Sequence, residues 1–270
     1  MTQEQPLPPQ SGRHPLPIRG VMVSALLTAL TLPALVQAHY PWADPTTHTP
    51  PGGQPLALEV GWGHTFPEDS RLSGTRLQDL VLWTPEAGQR AIPIDPGEQF
   101  QTPPLGPSGT GLIGIWQTPG YYSRTPQGGQ RASRKEHPDA LSCSRSVNSA
   151  KALLGSPPAE ALIAVRLDMP LEIIPLQTPE AIAETGALKV RVLWQGEPYT
   201  GPVAAIHAET RGDVTDTPDA IADSDGDGYA KLTLDRPGRW LLHVHASTPY
   251  PTPNTCDVIQ YNATLTLEVP

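Results

Sequence analysis

Proline and glycine interrupt this chain along its whole length. There are 34 prolines and 24 glycines among its 270 residues, about one residue in five. Proline removes a backbone donor and glycine weakens a helix interior, so long helices are excluded. Short apolar runs between these residues, such as Leu56 to Val60, Leu80 to Trp83 and Leu112 to Trp116, predict strands. The expected fold class is therefore all-β.

The charge of the chain limits its partners. Lysine and arginine number 18 against 27 acidic residues, a formal charge of -9. Binding to a nucleic-acid backbone needs a basic surface, so we expect no nucleic-acid partner. An acidic surface is compatible with attracting cations.

The first 38 residues have the order of a cleavable signal peptide. A leader containing Arg13 and Arg19 precedes an apolar run from Val21 to Val36, and Gln37-Ala38 follows. The run has about 16 residues, fewer than the roughly 20 that span a bilayer. We expect cleavage before His39 and a location in the periplasm, with secretion as the alternative.

The remaining chain is predicted to form two domains. Residues 39–168 are expected to be a β-sandwich or barrel-like domain with a polar loop and a short helix over 146–154. Residues 169–270 have strand-like runs every 8 to 15 residues with tight turns. This spacing predicts an Ig-like or transthyretin-like sandwich.

The two cysteines, Cys143 and Cys256, fit an exported chain. Exported proteins favour disulfides, and neither residue lies in a CxxC spacing. We predict that they form a structural disulfide; a thiolate metal site is the alternative.

Histidines are the candidate metal ligands, because imidazole nitrogen suits Ni²⁺, Co²⁺, Cu²⁺ and Zn²⁺. His39 would carry a free amine beside its ring after cleavage. His243 and His245 lie two apart in a predicted strand and so share one face. His64 follows a glycine near a strand end. Each candidate has an alternative interpretation. His39 could follow the cleavage site by coincidence, His243 and His245 could be a solvated pair, and His64 could be a turn residue.

The other histidines of the mature chain are expected at the surface; these are His48, His137 and His207.

The aspartates Asp223, Asp225 and Asp227, followed by Gly228, match the first half of a calcium-binding loop. The match ends at Leu234, where a bidentate glutamate is required. Asp-Gly is also a common hairpin sequence, so the segment is interpreted as a turn, with a Ca²⁺ site as the alternative.

Several short motifs are spread along the predicted mature chain: His39, Gly63-His64-Thr65-Phe66-Pro67, Leu171 to Leu176, Gly196-Glu197-Pro198, Asp225-Gly226 and Pro237 to Trp240. Together they resemble the DUF4198 family, exported proteins described as periplasmic components of nickel or cobalt uptake systems. The resemblance implies an N-terminal β-domain, a C-terminal Ig-like domain, and handling of a divalent metal ion beside a membrane transporter.

No motif for a known catalytic class is present. The sequence lacks G-x-S-x-G, H-E-x-x-H and a Walker loop. We expect a Ni²⁺- or Co²⁺-binding protein rather than an enzyme, with His39, His64, His243 and His245 as ligands. The alternatives are a copper protein or oxygenase with a terminal-histidine brace, and a structural or adhesive envelope module.

Overall fold

Three stacked β-sheets make up the part of the chain that the structure describes. The computed structural model describes Met1 and residues 39–155 and 159–270. The predicted leader and its cleavage site therefore lie outside the described residues, apart from Met1. Within the described residues no helix has the length and apolar character needed to cross a membrane.

The strands follow one another closely along the chain. They are β1 (Tyr40–Pro45), β2 (Ala57–Gly63), β3 (Ser70–Arg71), β4 (Leu77–Thr84), β5 (Gly88–Ala91), β6 (Gln99–Gln101), β7 (Gly111–Gln117), β8 (Gly120–Thr125), β9 (Gly128–Gln130), β10 (Ser142–Leu154), β11 (Leu171–Pro175), β12 (Ala187–Trp194), β13 (Glu197–Pro198), β14 (Pro202–His207), β15 (Ala220–Asp223), β16 (Tyr229–Thr233), β17 (Gly238–Pro249) and β18 (Val258–Val269). Short 3-10 turns cover Gly74–Arg76 and Ala159–Leu162, and one α-helix, α1, covers Pro179–Thr185. The all-β prediction is confirmed.

The largest sheet has ten strands and contains both predicted segments. Its main order is β15-β14-β17-β18-β10-β7-β4-β5, and the hairpin β8-β9 pairs with the first part of β10. Strand β10 runs parallel to β18 and antiparallel to β7. The sheet thus crosses the boundary predicted near residue 168, and the two-domain division stays a prediction.

A small sheet covers each face of this central sheet. One small sheet contains β1, β2, β3 and β6, and the other contains β11, β12, β13 and β16. Side chains alternate along the central strands: Ile113 and Ala152 pack toward the first sheet, and Leu112 and Leu153 pack toward the second. The central sheet is therefore buried on both sides.

The helix predicted over residues 146–154 is wrong, because this segment is the second half of β10. Its alanine, lysine and leucine residues favour a helix locally, but pairing with β7 and β18 satisfies the backbone on both edges. Tertiary pairing here outweighs local propensity. Sequence reasoning missed α1, although Thr178 caps it, Pro179 begins it and Gly186 ends it with a left-handed conformation.

The predicted disulfide is confirmed. Cys143, near the start of β10, is bonded to Cys256, two residues before β18. Asp257 strengthens the same junction, because its carboxylate accepts hydrogen bonds from the Cys143 amide and the Arg134 guanidinium. The bridge therefore lies where the parallel pairing of β10 and β18 begins.

A fully buried ion pair joins the central sheet to the second small sheet. Lys151 Nζ of β10 lies 2.5 Å from Glu172 Oε1 of β11, and both side chains are 1% exposed. Lys151 also donates to the Ile173 carbonyl, and Glu172 accepts from the amides of Leu167 and Met169. Every charge in this pair is thus hydrogen-bonded, as buried charges require.

Removing one partner of this pair should strongly destabilise the fold. We expect Glu172→Gln to lower the free energy of unfolding by about 3–5 kcal/mol, because it leaves the Lys151 ammonium without a counter-charge. The double variant Lys151→Met/Glu172→Leu should lose less than Glu172→Gln. The exposed pair Arg166 and Asp168 is the control, and Arg166→Met should change stability by less than about 0.5 kcal/mol. Urea unfolding measures all three, and equal losses for Glu172→Gln and Arg166→Met would contradict the expectation.

Candidate metal centre

Strand register brings His39 and His64 together. In the antiparallel pairing of β1 and β2, Tyr40 lies opposite Gly63. The next cross-strand pair outward is His39 and His64, and cross-strand neighbours have Cβ atoms about 5 Å apart. Their ring centroids are 4.5 Å apart, with one ring edge facing the other. His39 and His64, which are distant in sequence, thus form one imidazole pair.

The turn after β2 fixes the backbone of His64. Asp69 accepts hydrogen bonds from the amides of His64, Thr65 and Ser70. Burial opposes ionisation of Asp69, but these three bonds hold the pKa of its carboxyl below the usual range. A Cβ on Gly63 would lie 2.1 Å from Asp69 Oδ2, and Gly63 has a φ of 147°. Only glycine fits this position.

A carboxylate from the second half of the chain faces the ring of His64. Nδ1 of His64 lies 2.9 Å from Asp213 Oδ2, although this contact lacks hydrogen-bond geometry. Asp213 Oδ1 accepts from the amide and hydroxyl of Thr215. The Tyr40 hydroxyl lies 3.2 Å from the same oxygen and 3.0 Å from the His64 carbonyl oxygen. A carboxylate facing one ring nitrogen leaves the other for a ligand.

The imidazole of His39 lies in a mixed aromatic and charged environment. Its ring is 5.6 Å from the ring of Trp62, over which the Arg76 guanidinium lies at 4.5 Å. Burial and the neighbouring His64 lower the pKa of His39; Asp69 acts in the opposite direction. His39 is therefore neutral at neutral pH, the form that can donate a lone pair to a metal ion.

His243 and His245 lie on the same face of β17, as alternation predicts. His243 is buried, with Nε2 3.0 Å from Asn262 Oδ1, and the exposed His245 has Nδ1 3.2 Å from the same oxygen. Asn262 in turn donates to Asn148, which donates to Gln117. One nitrogen of each histidine is therefore engaged by a row of buried amides.

The four predicted histidines do not form a single ligand shell. His39 and His64 are in contact, whereas the ring of His243 faces that of Tyr40, with centroids 4.6 Å apart and planes inclined at 37°. Across residues 39–155 and 159–270, no three histidine, cysteine, aspartate or glutamate side chains form a group that could hold a metal ion. The ligand role of His243 and His245 stays a prediction.

Two histidines expected at the surface are buried instead. His48 has Nδ1 2.9 Å from the carbonyl oxygen of Leu153, and His207 has Nε2 2.9 Å from that of Pro237. Each imidazole satisfies a backbone carbonyl within the core, which explains its burial. His137 is half-buried.

The aspartate-rich segment forms a turn in the structure. Asp225 Oδ1 accepts hydrogen bonds from the amides of Asp227 and Tyr229, and Gly228 has a φ of 83°. Asp223 ends β15 with an exposed side chain. This geometry favours the turn interpretation, because a carboxylate oxygen of Asp225 already serves the backbone.

Sequence reasoning missed three residues around the histidines. Asp213 is remote in sequence and has no motif around it. Tyr40 directly follows His39, but nothing local indicates that its hydroxyl reaches Asp213. Asn262 lies opposite His245 in the β17–β18 pairing, which only the register reveals.

A comparison with protein families gives one match. The model of DUF4198, a domain of unknown function, matches residues 36–248. The match includes His39, His64, His243 and His245. A comparison with curated proteins finds no match.

The buried ring of His243 should make folding stability pH-dependent. Burial lowers the pKa of His243 to about 4, with His245 and His64 acting in the same direction and Asn262 and Asp213 opposing. The unfolded state, with a pKa near 6.5, then binds more protons, so the free energy of unfolding should fall as the pH drops from about 6.5 to 4. The full contribution is on the order of 3 kcal/mol.

Urea unfolding of the wild-type protein and His243→Gln at several pH values measures this effect. The variant should lose less stability than the wild type between pH 6.5 and 4. The half-buried His137→Gln serves as the control, because His137 contacts neither His243 nor Asn262 in the structure, and it should keep the wild-type slope. Parallel slopes for the wild type and His243→Gln would refute the assignment.

Proposed function

The chain belongs to the DUF4198 family, and we propose that it is an exported protein that binds Ni²⁺ or Co²⁺ and holds the ion for uptake. The observation that carries this proposal is the contact between His39 and His64, with Asp213 facing the second ring. In the proposed cycle the ion is cargo taken from the periplasm and passed to a membrane transporter.

The spacing of the two rings supports a shared ion. A ring nitrogen bonds to a first-row metal at roughly 2 Å, which puts the ring centroid about 3.2 Å from the ion. Two centroids 4.5 Å apart then correspond to adjacent coordination positions at an angle of about 90°. Square-planar and octahedral Ni²⁺ both have adjacent positions at this angle.

The surroundings of His64 also fit a ligand. Metal-binding histidines commonly present one ring nitrogen to a carboxylate, which fixes the ring orientation and raises its basicity. Asp213 Oδ2 takes this place at Nδ1 of His64, and its other oxygen, Oδ1, accepts hydrogen bonds from Thr215 and Tyr40. Asp213 is thus proposed as a positioning residue and Nε2 of His64 as the donor.

Processing of the leader supplies the third donor in this proposal. Cleavage before His39 converts its backbone nitrogen from a peptide amide into a primary amine with a pKa of roughly 7.7 to 8. The amine and the two imidazoles then offer three nitrogens. His243 is buried and His245 is exposed, and one ring nitrogen of each already contacts Asn262.

The same three nitrogens support a second candidate, a copper protein with a terminal-histidine brace. Cu²⁺ binds nitrogen sites more tightly than Ni²⁺, Co²⁺ or Zn²⁺ in general. Affinity alone therefore does not distinguish the two functions. Reduction of bound Cu²⁺ followed by consumption of O₂ would favour the copper protein, and nickel accumulation by cells that depend on this chain would favour uptake.

Isothermal titration of the protein starting at His39 tests the binding site. We expect one Ni²⁺ site per chain, with His64→Ala weakening binding at least about tenfold through loss of a ligand. Asp213→Asn should weaken it about 10- to 100-fold, because it removes the carboxylate partner of the ring. His137→Ala is the control and should leave the affinity unchanged.

Two further variants test individual donors. A protein with one extra residue before His39 should bind weakly, because its His39 nitrogen is a peptide amide; unchanged affinity would remove the amine from the ligand set. His245→Ala tests whether His245 is also a ligand. Weaker binding would add His245 to the ligand set, and unchanged affinity would remove it. Binding that is indifferent to His64→Ala would overturn the proposed site.

A further inference from the structure

Basic residues are concentrated in one segment of this acidic chain. Residues 120–145 contain five lysine and arginine residues and two acidic residues, whereas the rest of the chain contains 13 and 25. This basic segment comprises β8, β9 and the connection to the first residues of β10. Its net charge is therefore opposite in sign to that of the remaining chain.

Backbone contacts bring the basic side chains of this segment together. Ser123 of β8 lies opposite Gln130 of β9, and the Ser123 hydroxyl donates to the Ala132 carbonyl. Arg124 follows Ser123, and Arg131 lies between Gln130 and Ala132. The two arginines are therefore close neighbours on adjacent lengths of chain.

Three positive charges of the basic segment have no acidic partner. Arg124, Arg131 and Lys135 are exposed, and within residues 39–155 and 159–270 none of them forms an ion pair. Arg134 differs, because it pairs with Asp257 beside the disulfide. The disulfide junction thus anchors the segment and leaves three unpaired cations at the surface.

Two exposed apolar side chains accompany these charges. Tyr122 is 43% exposed and Leu141 is 68% exposed. Tyr122 lies two residues before Arg124 and so shares its face of β8, and the Leu141 amide donates to the Arg124 carbonyl. Among residues 39–155 and 159–270, the other large hydrophobic residues with comparable exposure are Ile221 and Tyr229.

This combination suits a lipid surface better than a protein interface. A stable protein interface buries about 800 Å² on each partner around a packed apolar core, and two projecting side chains are too few for such a core. Basic residues near anionic headgroups, with tyrosine and leucine at the level of the headgroups, are typical of proteins that bind a membrane surface. The acidic remainder of the chain is repelled by the same surface, which favours one orientation.

We propose that the basic segment is a docking surface for the anionic phospholipid headgroups of a membrane. Arg124, Arg131 and Lys135 contact the lipid phosphates, and Tyr122 and Leu141 enter the headgroup region. Binding is reversible and sensitive to salt, because it depends on exposed charges. The histidine pair takes no part, so this inference is independent of the proposed metal site.

Sedimentation of the protein starting at His39 with lipid vesicles tests the charges. We expect binding to phosphatidylglycerol vesicles at low salt, loss of that binding as salt is added, and little binding to phosphatidylcholine vesicles. Arg124→Gln/Arg131→Gln should weaken binding about 10- to 30-fold. Lys189→Gln/Lys231→Gln is the matched control, because it removes two exposed, unpaired charges from one cross-strand pair of the second small sheet, and it should bind as the wild type does.

Leu141→Ser tests the apolar contact in the same assay. It should weaken binding to phosphatidylglycerol vesicles about threefold or more, because less apolar surface leaves water. Ile221→Ser is the matched control, since Ile221 is 63% exposed and lies outside the basic segment, and it should keep the wild-type affinity.

Three results would overturn the inference: no binding to phosphatidylglycerol vesicles, equal binding to both kinds of vesicle, or equal weakening by the two double variants. Soluble polyglutamate is the probe for an acidic protein partner. If polyglutamate binds the wild type but not Arg124→Gln/Arg131→Gln, and the vesicles bind neither, the partner is an acidic protein and the membrane proposal is wrong.

Discussion

The parallel pairing of β10 with β18 is the contact on which the rest of the architecture depends. It joins a strand from the first half of the chain to the last strand, and nine residue pairs from Ser144 and Val258 to Ala152 and Thr266 lie in register. Parallel neighbours cannot be connected by a tight turn, so more than a hundred residues fold between them. The disulfide lies at the start of this pairing and holds the first residues of the two strands together, as no short turn between them could.

The same pairing determines where the histidine pair lies. Thr264 and Thr266 of β18 face the first small sheet and donate hydrogen bonds to the carbonyls of Pro41 and Ala43 in β1. An edge strand with unpaired carbonyls is thereby tied to the central sheet. Tyr40, at the start of β1, is fully buried, so His39 projects from a fixed point. The opposite face carries the Lys151 and Glu172 pair, which ties the other small sheet to the centre in a comparable way.

The sequence predicts which segments form strands better than it predicts how those strands pair. Alternation and turn residues correctly indicate strands at β2, β4 and β7, and the cysteine count indicates the bridge. Residues 146–154 were expected to be helical because their alanine, lysine and leucine residues favour a helix, and it is pairing with two neighbouring strands that makes the segment a strand. His39 and His64 could be named as separate candidates from the sequence, but their contact follows from pairing Tyr40 with Gly63, which no local pattern specifies. Asp213 comes from a loop that reaches the site because Gly212 accepts a bridge bond from Phe66.

The proposed site combines two different histidines: the ring of His64 is held in place by its neighbours, whereas His39 would become the N-terminal residue only after leader cleavage. His64 is held at its backbone by Asp69 and at its ring by Asp213, so its orientation is largely fixed before any ion arrives. His39 is exposed, and no carboxylate among residues 39–155 and 159–270 contacts its ring; in the proposed function its backbone nitrogen becomes a donor only when the preceding peptide bond is cut. A metal site of this kind cannot form during synthesis of the chain, because the amine does not yet exist. Under the proposed function, leader cleavage therefore creates the binding site at the place where the ion is met, and the buried Tyr40 holds the neighbouring His39 with its ring against that of His64.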